Sequence, residues 1–594
     1  MHLSLALATL LATAPDTAVS HVRINQLGYR PADSKVAVVC SLRAVELATF
    51  TVHDEGGRRV LGPLPAQPAP GFGPCAVTHR LDFSALRAPG RYHLLAGQAR
   101  SPLVRVAADV YDGAADSLLV FMRQQRSGYN PFFRTLVHQK DGIIVDHPTR
   151  TGDTVQVSGG WADAADYLQY VTTSATATYQ MLLAYRDHPE AFGDAYDARG
   201  LPGANGVPDV LDEARHGLDW LSRMYADDDA MFNQLGDDRD HAYWDLLTTD
   251  SSDYGWGRGG PRPVYPCTGR PQGLFEAQNR ATGKASTAGK YAAAFALGAR
   301  LLPAGDSVLT AELRRKAVAA YAVGRASPGV CQTAPGTAPY FYEEGNYTDD
   351  MELGAAELFA LTGELRYLRE ALEYAAEEPV TPWMGADTAR HYEWYPWHNN
   401  GHYAAWRGAS GADRERMASY YRQGLERVVA RADNGFRMGV PFIWCSNNLV
   451  ASLATQAILY RRMTGDATFV AYENAAVDWL FGANPWGTSM VIGLPGDGVY
   501  PRDPHHVVAK DLGVTLTGGL VDGPVYRSIF ENLRGIRLHE ADEYAPFNTG
   551  RMVYHDDLGD YSTNEPIMDG TANLAYLLSA RASVVAADST RARQ

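Results

Sequence analysis

The chain has 594 residues, 46% hydrophobic and 20% charged, with a formal net charge of −15. This length exceeds that of one ordinary domain and predicts two or three globular domains. The negative charge argues against a nucleic-acid partner or an anionic membrane, because both bind basic surfaces. A neutral ligand agrees better with this charge.

The first 14 residues form a short apolar run. It is too short to span a bilayer and has the length of the apolar region of a signal peptide, although Lys and Arg are missing ahead of it. Cleavage patterns of small residues end at Ala14 and at Ser20, and both remain open. We predict a signal peptide at residues 1–20 and a secreted or periplasmic protein. No later stretch is long and apolar enough to cross a bilayer.

Residues 21–108 have a β pattern. Short runs rich in β-branched and aromatic residues occur at 36–39, 48–53, 92–95 and 103–106. Turn signals separate them, including a Pro-rich segment at 62–74. Strands at this spacing predict a small β-sandwich.

Helical periodicity dominates from residue 109 onward. We predict helices at 171–185, 207–224, 286–302, 306–326, 350–375, 412–432, 449–463, 469–481 and 567–582. Asp209 is a candidate N-cap, and Gly363 and Gly465 are placed to end helices. Repeated helix–turn–helix units predict an α/α barrel or toroid. Long loops at 258–278, 381–401 and 484–526 are expected to carry function.

The five cysteines are widely spaced and form no C-x-x-C motif. Their odd number excludes complete internal pairing. Cys40 could pair with Cys75, since both lie in the β region. Buried thiols are the alternative.

Two acidic segments could carry chemistry. Asp163 and Asp166 follow the pair Gly159-Gly160, where the backbone can approach another group closely. Glu565 ends an acidic run before the last helix. Solvated turns and helix N-termini also explain such carboxylates. The functional alternative is that Glu565, held among Tyr554, Tyr561 and apolar neighbours, has a raised pKa and acts with Asp166 across a cleft.

Several longer motifs resemble those of one known family. Residues 157–166 (VSGGWADAAD) resemble its S-G-G-W-x-D-A-G-D motif, and residues 22–31 (VRINQLGYRP) resemble the opening of its N-terminal domain. Further matches are at 208–220, 444–447, 484–485, 504–506, 518–524 and 560–565. The chain thus resembles family 9 of the glycoside hydrolases, the inverting cellulase family. That resemblance implies an immunoglobulin-like β-sandwich (21–108) followed by an all-α six-hairpin (α/α)6 barrel (109–590).

The resemblance also implies residue roles. Asp166 matches the general base that deprotonates the attacking water, and Asp163 matches a companion that helps to hold this water. Glu565 matches the general acid. Inversion requires two carboxyl groups about 6.5–9.5 Å apart.

Candidate substrate-binding residues follow in the same way. His505 matches a residue that contacts the sugar beside the scissile bond, and Tyr561 is a candidate for the same subsite. Trp444, Trp256 and Trp161 could stack on sugar faces, with a structural role as the alternative for each.

The chain departs from the family pattern at three points. Ala165 replaces a Gly, which requires ordinary backbone angles there. Val507 stands where an Arg often follows the paired His, so that a bidentate donor to sugar hydroxyls is either missing or supplied by Arg502 or Arg527. Many members carry a Cys/His zinc cluster, but here His138 and His147 are too few ligands. We therefore expect no structural zinc and no required cofactor, with calcium possible.

Together these observations predict a secreted, inverting, endo-acting hydrolase of β-1,4-linked glucans such as cellulose, and a monomer. The first alternative keeps the fold and changes the specificity to exo action or to mixed-linkage glucan, xyloglucan or aminosugar oligomers. The second is a carbohydrate-binding protein without catalysis, which retention of all three carboxylates disfavours.

Overall fold

The computed structural model describes residues 19–339, 341–386 and 399–591, without the side chains of residues 304 and 584–591. The predicted signal peptide falls almost entirely on residues outside this description. Within the described residues, no helix combines the length and the apolar character that a membrane span requires.

The first part of the chain folds as a β-sandwich. Its strands are β1 (Ser20–Arg23), β2 (Val36–Ser41), β3 (Thr49–Asp54), β4 (Arg59–Pro65), β5 (Gln67–Ala69), β6 (Val77–Asp82), β7 (Gly90–Ala96), β8 (Ala99–Arg100) and β9 (Val104–Val106). One sheet has the order β1-β2-β6-β5, and the other has the order β4-β3-β7-β8 with β9 also paired to β7. The inner faces bury alternate apolar side chains such as Val39, Leu81 and Leu94.

All four predicted strands are confirmed, but the Pro-rich segment at 62–74 is not simply a turn. It contains the end of β4 and all of β5, which lie at the edges of the two sheets. Proline is tolerated at a sheet edge because its missing N–H need not pair there.

Two disulfides settle the cysteine alternatives. Cys40 and Cys75 are joined within the β-sandwich, as one alternative proposed, and Cys267 and Cys331 are joined in the second domain. Cys445 stays buried as a thiol.

The second domain is helical. Its longer helices are α1 (Ala114–Gln124), α2 (Val171–Asp187), α3 (Asp209–Met224), α4 (Ala285–Leu301), α5 (Ser307–Ala326), α6 (Thr348–Thr362), α7 (Leu365–Glu377), α8 (Asn400–Gly408), α9 (Gly411–Ala430), α10 (Ser446–Thr464), α11 (Val470–Leu480) and α12 (Met568–Arg591). Three short helices lie at Pro382–Gly385, Val507–Leu512 and Arg527–Phe530.

These helices form a ring of six hairpins. Each even-numbered helix contacts the next even-numbered helix, and α12 contacts α2, which closes the inner ring. Each odd-numbered helix packs outside an even-numbered one, α1 against α12 and the others against the preceding or following inner helix. The expected (α/α)6 arrangement is therefore present.

Inner and outer helices differ in how much of their surface they bury. The inner helix α4 buries every residue from Ala285 to Gly298, including Lys290, whose ammonium group pairs with Glu344 and Asp350. The outer helix α5 buries a single stripe that includes Leu313, Ala317 and Tyr321, at the spacing of one helix face.

The nine predicted helices are present, with one split in two. Gly363 ends α6 with φ of 76°, and Gly465 ends α10 with φ of 75°, as their predicted capping role requires. Helices α1 and α8 are present in addition and were not among the predicted helices. Asp209 is the first residue of α3 rather than its N-cap, and its Oδ1 accepts the N–H groups of Ala195 and Tyr196.

The two acidic segments lie at one end of the barrel. A short strand, Gln169–Tyr170, leads directly into α2, and another, Pro566–Ile567, leads directly into α12. Because α2 and α12 are neighbours in the inner ring, residues 163–166 and Glu565 meet in front of their N-termini. The N–H of Met568 donates to the carbonyl of Asp163 at 2.9 Å and fixes this arrangement.

The remaining short strands of the helical domain stabilise its loops. They are Gly128–Asn130, Thr135–Val137, Ile143–Ile144, Phe232–Leu235, Pro263–Pro266, Leu520–Val521, Val525–Tyr526 and Met552–Val553. Two of the predicted loops, 258–278 and 484–526, thus contain paired strands.

A buried ion pair supports the segment that carries the two aspartates. Glu213 of α3 is fully buried and accepts bonds from Nε and Nη2 of Arg126 at 2.9 and 2.7 Å and from the indole of Trp161 at 2.8 Å.

We expect Glu213→Ala to lower the free energy of unfolding by about 3–5 kcal/mol, because it leaves the Arg126 charge buried without its partner. Chemical denaturation of the full chain measures this change. Glu55→Ala is the control, since Glu55 makes an exposed ion pair with Arg91. Equal stability of the two variants would show that the Arg126–Glu213 pair is dispensable.

Candidate active site

The glycine pair before the aspartates is required by packing. Gly159 and Gly160 have φ of 119° and 72°, and a Cβ on Gly160 would lie 2.6 Å from the ring of Trp220. The close approach expected at this pair is therefore made to Trp220 of α3 and not to a ligand.

Trp161 has a structural position. Its side chain is fully buried and its indole donates to Glu213, so it presents no face to a ligand in this structure. Of the two roles open for Trp161, the structure supports the structural one.

Asp163 is almost completely enclosed, with 4% of its surface exposed. Its carboxylate accepts hydrogen bonds from the hydroxyls of Thr173 and Tyr342, each at 2.5 Å. Burial, together with the nearby charge of Asp166, raises the pKa of Asp163 to about 7 against the opposing effect of these hydrogen bonds.

Asp166 is more accessible, with a quarter of its side chain exposed. Its Oδ1 accepts the N–H of Leu168 at 3.1 Å, and its Oδ2 lies 3.2 Å from Nε2 of His241. Burial opposes the charge of this imidazole, but the hydrogen bond and the charge of Asp166 raise the pKa of His241 to about 10. An imidazolium therefore faces the accessible carboxylate.

Glu565 lies beside both aspartates. Its Oε1 accepts the N–H of Ala165 at 2.9 Å. Burial and the charges of Asp522 and Asp166 raise the pKa of Glu565 well above its usual value. These surroundings therefore favour the protonated form of the Glu565 carboxyl group.

The surroundings of Glu565 differ in part from the expectation. Tyr554 donates to Oδ1 of Asn564, and Tyr561 donates to the carbonyl of Arg534, so neither hydroxyl bonds to Glu565. The sequence did not indicate that the charge of Asp522 contributes to the raised pKa of Glu565. Ala165 has no positive φ, in agreement with the ordinary backbone angles expected there.

A cluster of rings lies next to these carboxyl groups. Nδ1 of His505 donates to the carbonyl of Leu558, and the His505 ring lies 6.1 Å from that of Tyr561, which in turn lies 5.7 Å from that of Trp444. The Trp444 indole donates to Asp522 at 3.0 Å. The structure thus joins three predicted substrate-binding residues to the neighbourhood of Glu565.

The same cluster includes a residue that the sequence did not single out. Trp244 packs against His505 with ring centroids 4.5 Å apart and remains 36% exposed. Trp256 is 41% exposed in the loop that follows Trp244.

The residue at the position of the expected arginine, Val507, belongs to the hydrophobic core. Val507 is 1% exposed and begins the short helix Val507–Leu512, which the His506 side chain caps. Both proposed substitutes, Arg502 and Arg527, make contacts within the chain. Arg502 stacks on Tyr500 and donates to its hydroxyl, and Arg527 binds Glu531 and the carbonyl of Asn548.

The two histidines considered as zinc ligands, His138 and His147, are both hydrogen-bonded within the protein. His138 lies between the hydroxyl of Ser127 at 3.2 Å and the carboxylate of Asp250 at 2.9 Å. His147 accepts the N–H groups of Thr149 and Arg150. Within residues 19–339, 341–386 and 399–591, no three His, Cys, Asp or Glu side chains are grouped to hold a metal ion.

Comparisons with known proteins identify the family of both domains. The profile of glycosyl hydrolase family 9 matches residues 111–578, and that of the cellulase N-terminal Ig-like domain matches residues 17–101. A xyloglucan-specific endo-β-1,4-glucanase of Bacteroides ovatus is 25% identical over 86% of this chain and 88% of its own length. Endoglucanase C of Cellulomonas fimi is 26% identical over 95% of this chain and 52% of its own length.

Solved structures show the same fold. A metagenome-derived family 9 endoglucanase superposes with a TM-score of 0.74 and 28% identity, over 95% of this chain and 99% of that one. The family profile spans most of the chain and includes Asp163, Asp166 and Glu565. The chain therefore belongs to glycosyl hydrolase family 9 and is a glycosidase of the cellulase type with an N-terminal immunoglobulin-like domain.

Proposed function

We propose that this protein is an exported, endo-acting hydrolase of β-1,4-linked glucans that inverts the anomeric configuration. The hydrogen bond from the Ala165 N–H to Glu565 carries the proposal, because it holds beside the segment of the accessible Asp166 a carboxyl group whose protonated form burial favours. A proton donor and an acceptor for the proton of water are what glycoside hydrolysis requires, and inversion is proposed from the resemblance of residues 157–166 to the base motif of the inverting family.

In this mechanism, Asp166 removes a proton from the water that attacks the anomeric carbon. Nε2 of His241, 3.2 Å from Oδ2 of Asp166, orients this carboxylate. Asp163, buried between Thr173 and Tyr342, accepts a second hydrogen bond from the same water. Glu565 gives its proton to the glycosidic oxygen as the bond breaks.

The ring cluster supports binding of a neutral polysaccharide. Trp244, Tyr561 and Trp444 offer apolar faces on which sugar rings stack, while His505 supplies a ring nitrogen for a hydroxyl. Burial lowers the pKa of His505, so that this imidazole is neutral at neutral pH.

Two observations support export. The apolar run at residues 1–14 has the length expected of a signal peptide. The disulfides Cys40–Cys75 and Cys267–Cys331 are typical of an oxidising compartment, either the periplasm or the exterior of the cell.

A second candidate is the same reaction on xyloglucan. The relative from Bacteroides ovatus that matches 86% of this chain is named xyloglucan-specific. Val507 stands at the site of the expected arginine, and Arg502 and Arg527 are engaged elsewhere, which favours a subsite with fewer charged donors.

We expect Asp166→Asn and Glu565→Gln each to lower kcat by about 10²–10⁴-fold, because each removes one partner of general acid–base catalysis. Initial rates on soluble β-1,4-glucan, mixed-linkage glucan and xyloglucan measure this loss and rank the substrates. Asp497→Asn is the matched control, since Asp497 is an exposed carboxylate that pairs with Arg91.

Full activity of either variant would refute the proposed roles. Highest wild-type activity on xyloglucan would favour the second candidate. Early release of only mono- or disaccharide would favour exo action over endo action. Saturable oligosaccharide binding without hydrolysis by the wild-type protein would favour the non-catalytic alternative.

We further expect Tyr342→Phe to lower kcat/KM by roughly 10–100-fold at acid pH, the range of a hydrogen bond to a charged group. The lost hydroxyl no longer stabilises the ionised form of Asp163, so the pKa of Asp163 rises and the acid limb of the pH profile moves to higher pH. The ring that packs on Tyr170 is kept. An unmoved acid limb would show that Asp163 does not act in its ionised form.

A further inference from the structure

A lysine is buried in the inner ring of the barrel, where the helix around it carries no other charge. Lys290 of α4 is 1% exposed and is the only Lys, Arg, Asp or Glu between Ala285 and Gly298. A charge in such surroundings is costly unless it is paired. The reaction steps described above do not use this ammonium group.

The ammonium group of Lys290 joins two buried carboxylates from neighbouring parts of the chain. It donates to Oε1 of Glu344 and, at 2.7 Å, to Oδ2 of Asp350. Asp350 lies in the first turn of α6, and Glu344 lies in the loop that precedes α6. Asp349 is a third acidic side chain in the surroundings of the ammonium group. Lys290 therefore ties the loop before α6 to the inner helix α4.

Glu344 connects this ion pair to the hydroxyl donors of Asp163. Its Oε1 also accepts the hydroxyl of Thr172 at 3.2 Å. Thr173 follows Thr172 in α2, and its hydroxyl donates to Oδ1 of Asp163. Tyr342 precedes Glu344 by two residues, and its hydroxyl donates to Oδ2 of Asp163. One carboxylate, which the lysine holds, thus connects the two segments that supply these hydroxyls.

Other contacts hold the backbone of the same loop. The N–H of Tyr342 donates to the hydroxyl of Thr333 at 2.7 Å, and Nε2 of Gln332 donates to the carbonyl of Glu344 at 2.8 Å. A change at Lys290 should therefore displace the Glu344 carboxylate and its neighbours without releasing the whole loop.

The lysine reaches Asp163 through these hydroxyls rather than by its own charge. Besides burial, the groups that set the pKa of Asp163 are the Asp166 carboxylate and the hydroxyls of Thr173 and Tyr342. Asp569 is a further carboxyl group that interacts with Asp163. The two hydroxyls favour the ionised form, so their exact placement matters for a carboxylate that is otherwise enclosed.

We propose that Lys290 is a positioning residue, which through Glu344 holds the two hydroxyl donors on Asp163. This inference rests on the proposed function, in which ionised Asp163 accepts a hydrogen bond from the attacking water. An ammonium group suits the task, because its several donors can bind carboxylates from separate elements at once. Packing alone does not require a lysine here, since an apolar side chain of similar volume would avoid the cost of burying a charge.

The pH profile of kcat/KM on soluble β-1,4-glucan tests the proposal in Lys290→Met. We expect kcat/KM to fall roughly 2–30-fold at acid pH, the range for coupling carried through a network of contacts. We also expect the acid limb to move to higher pH, because displaced hydroxyls stabilise the ionised form of Asp163 less well. An unmoved acid limb in folded Lys290→Met would overturn the proposal.

Lys316→Met is the matched control. Lys316 of α5 is also buried, but its ammonium group binds Ser222 and Glu312, which belong to the outer helices α3 and α5. We expect this variant to lose stability and to keep the acid limb of the wild type. An equal shift of the limb in both lysine variants would show that the loss of any buried lysine has this effect, against the proposal.

A double-mutant cycle separates positioning from a general loss of stability. If Lys290 acts through the Tyr342 hydroxyl, Lys290→Met should shift the acid limb much less in a Tyr342→Phe background than in the wild type. Equal shifts in the two backgrounds would refute this route.

Glu344→Gln decides the matter if Lys290→Met does not fold. It keeps the volume of the side chain and an acceptor for Thr172, but it weakens the link to Lys290. We expect the acid limb to move to higher pH, whereas the direct effect of removing a negative charge would lower the pKa of Asp163. A limb that stays in place or moves to lower pH would contradict the proposal.

Failure of this inference differs from failure of the proposed function. If the proposed function fails, Asp166→Asn or Glu565→Gln keeps full activity. If only the inference fails, those two variants lose activity as expected, and the acid limb does not respond to Lys290.

Discussion

The hydrogen bond from the Ala165 N–H to the Glu565 carboxyl joins segments 400 residues apart in the chain. It depends on the closed inner ring, in which α12 returns to lie beside α2. A second hydrogen bond, from the Met568 N–H to the Asp163 carbonyl, joins the same two segments. Without this closure, the three carboxyl groups would not share one site.

Burial and neighbouring charge affect the three carboxyl groups differently. Glu565 is enclosed near Asp522 and retains its proton, whereas Asp166 stays partly open to solvent beside the His241 imidazolium. Asp163 is enclosed but receives two hydroxyl donors, which offset part of the effect of burial. The pKa values of Asp163 and Glu565 are thus both raised by burial and neighbouring charge, but only Asp163 receives hydroxyl donors that oppose the change.

The sequence predicted the residues that long local motifs carry. Asp163, Asp166 and Glu565 lie in such motifs, whereas the helix-ending glycines and most helices follow from local turn signals and periodicity. His241, Tyr342 and Trp244 could not be predicted in the same way, because they reach the site only through tertiary contacts from separate loops. The Cys267–Cys331 disulfide was missed for the same reason, since its cysteines are 64 residues apart.

The central claim is that burial and neighbouring charge keep Glu565 protonated as the acid. The pH profile of kcat/KM for wild type and Asp522→Asn tests it most directly. The Asp522 charge favours the neutral form of Glu565, so its removal lowers the pKa of Glu565. The account predicts that the alkaline limb moves to lower pH in Asp522→Asn, while activity below that limb is retained. An alkaline limb at the wild-type pH would contradict it.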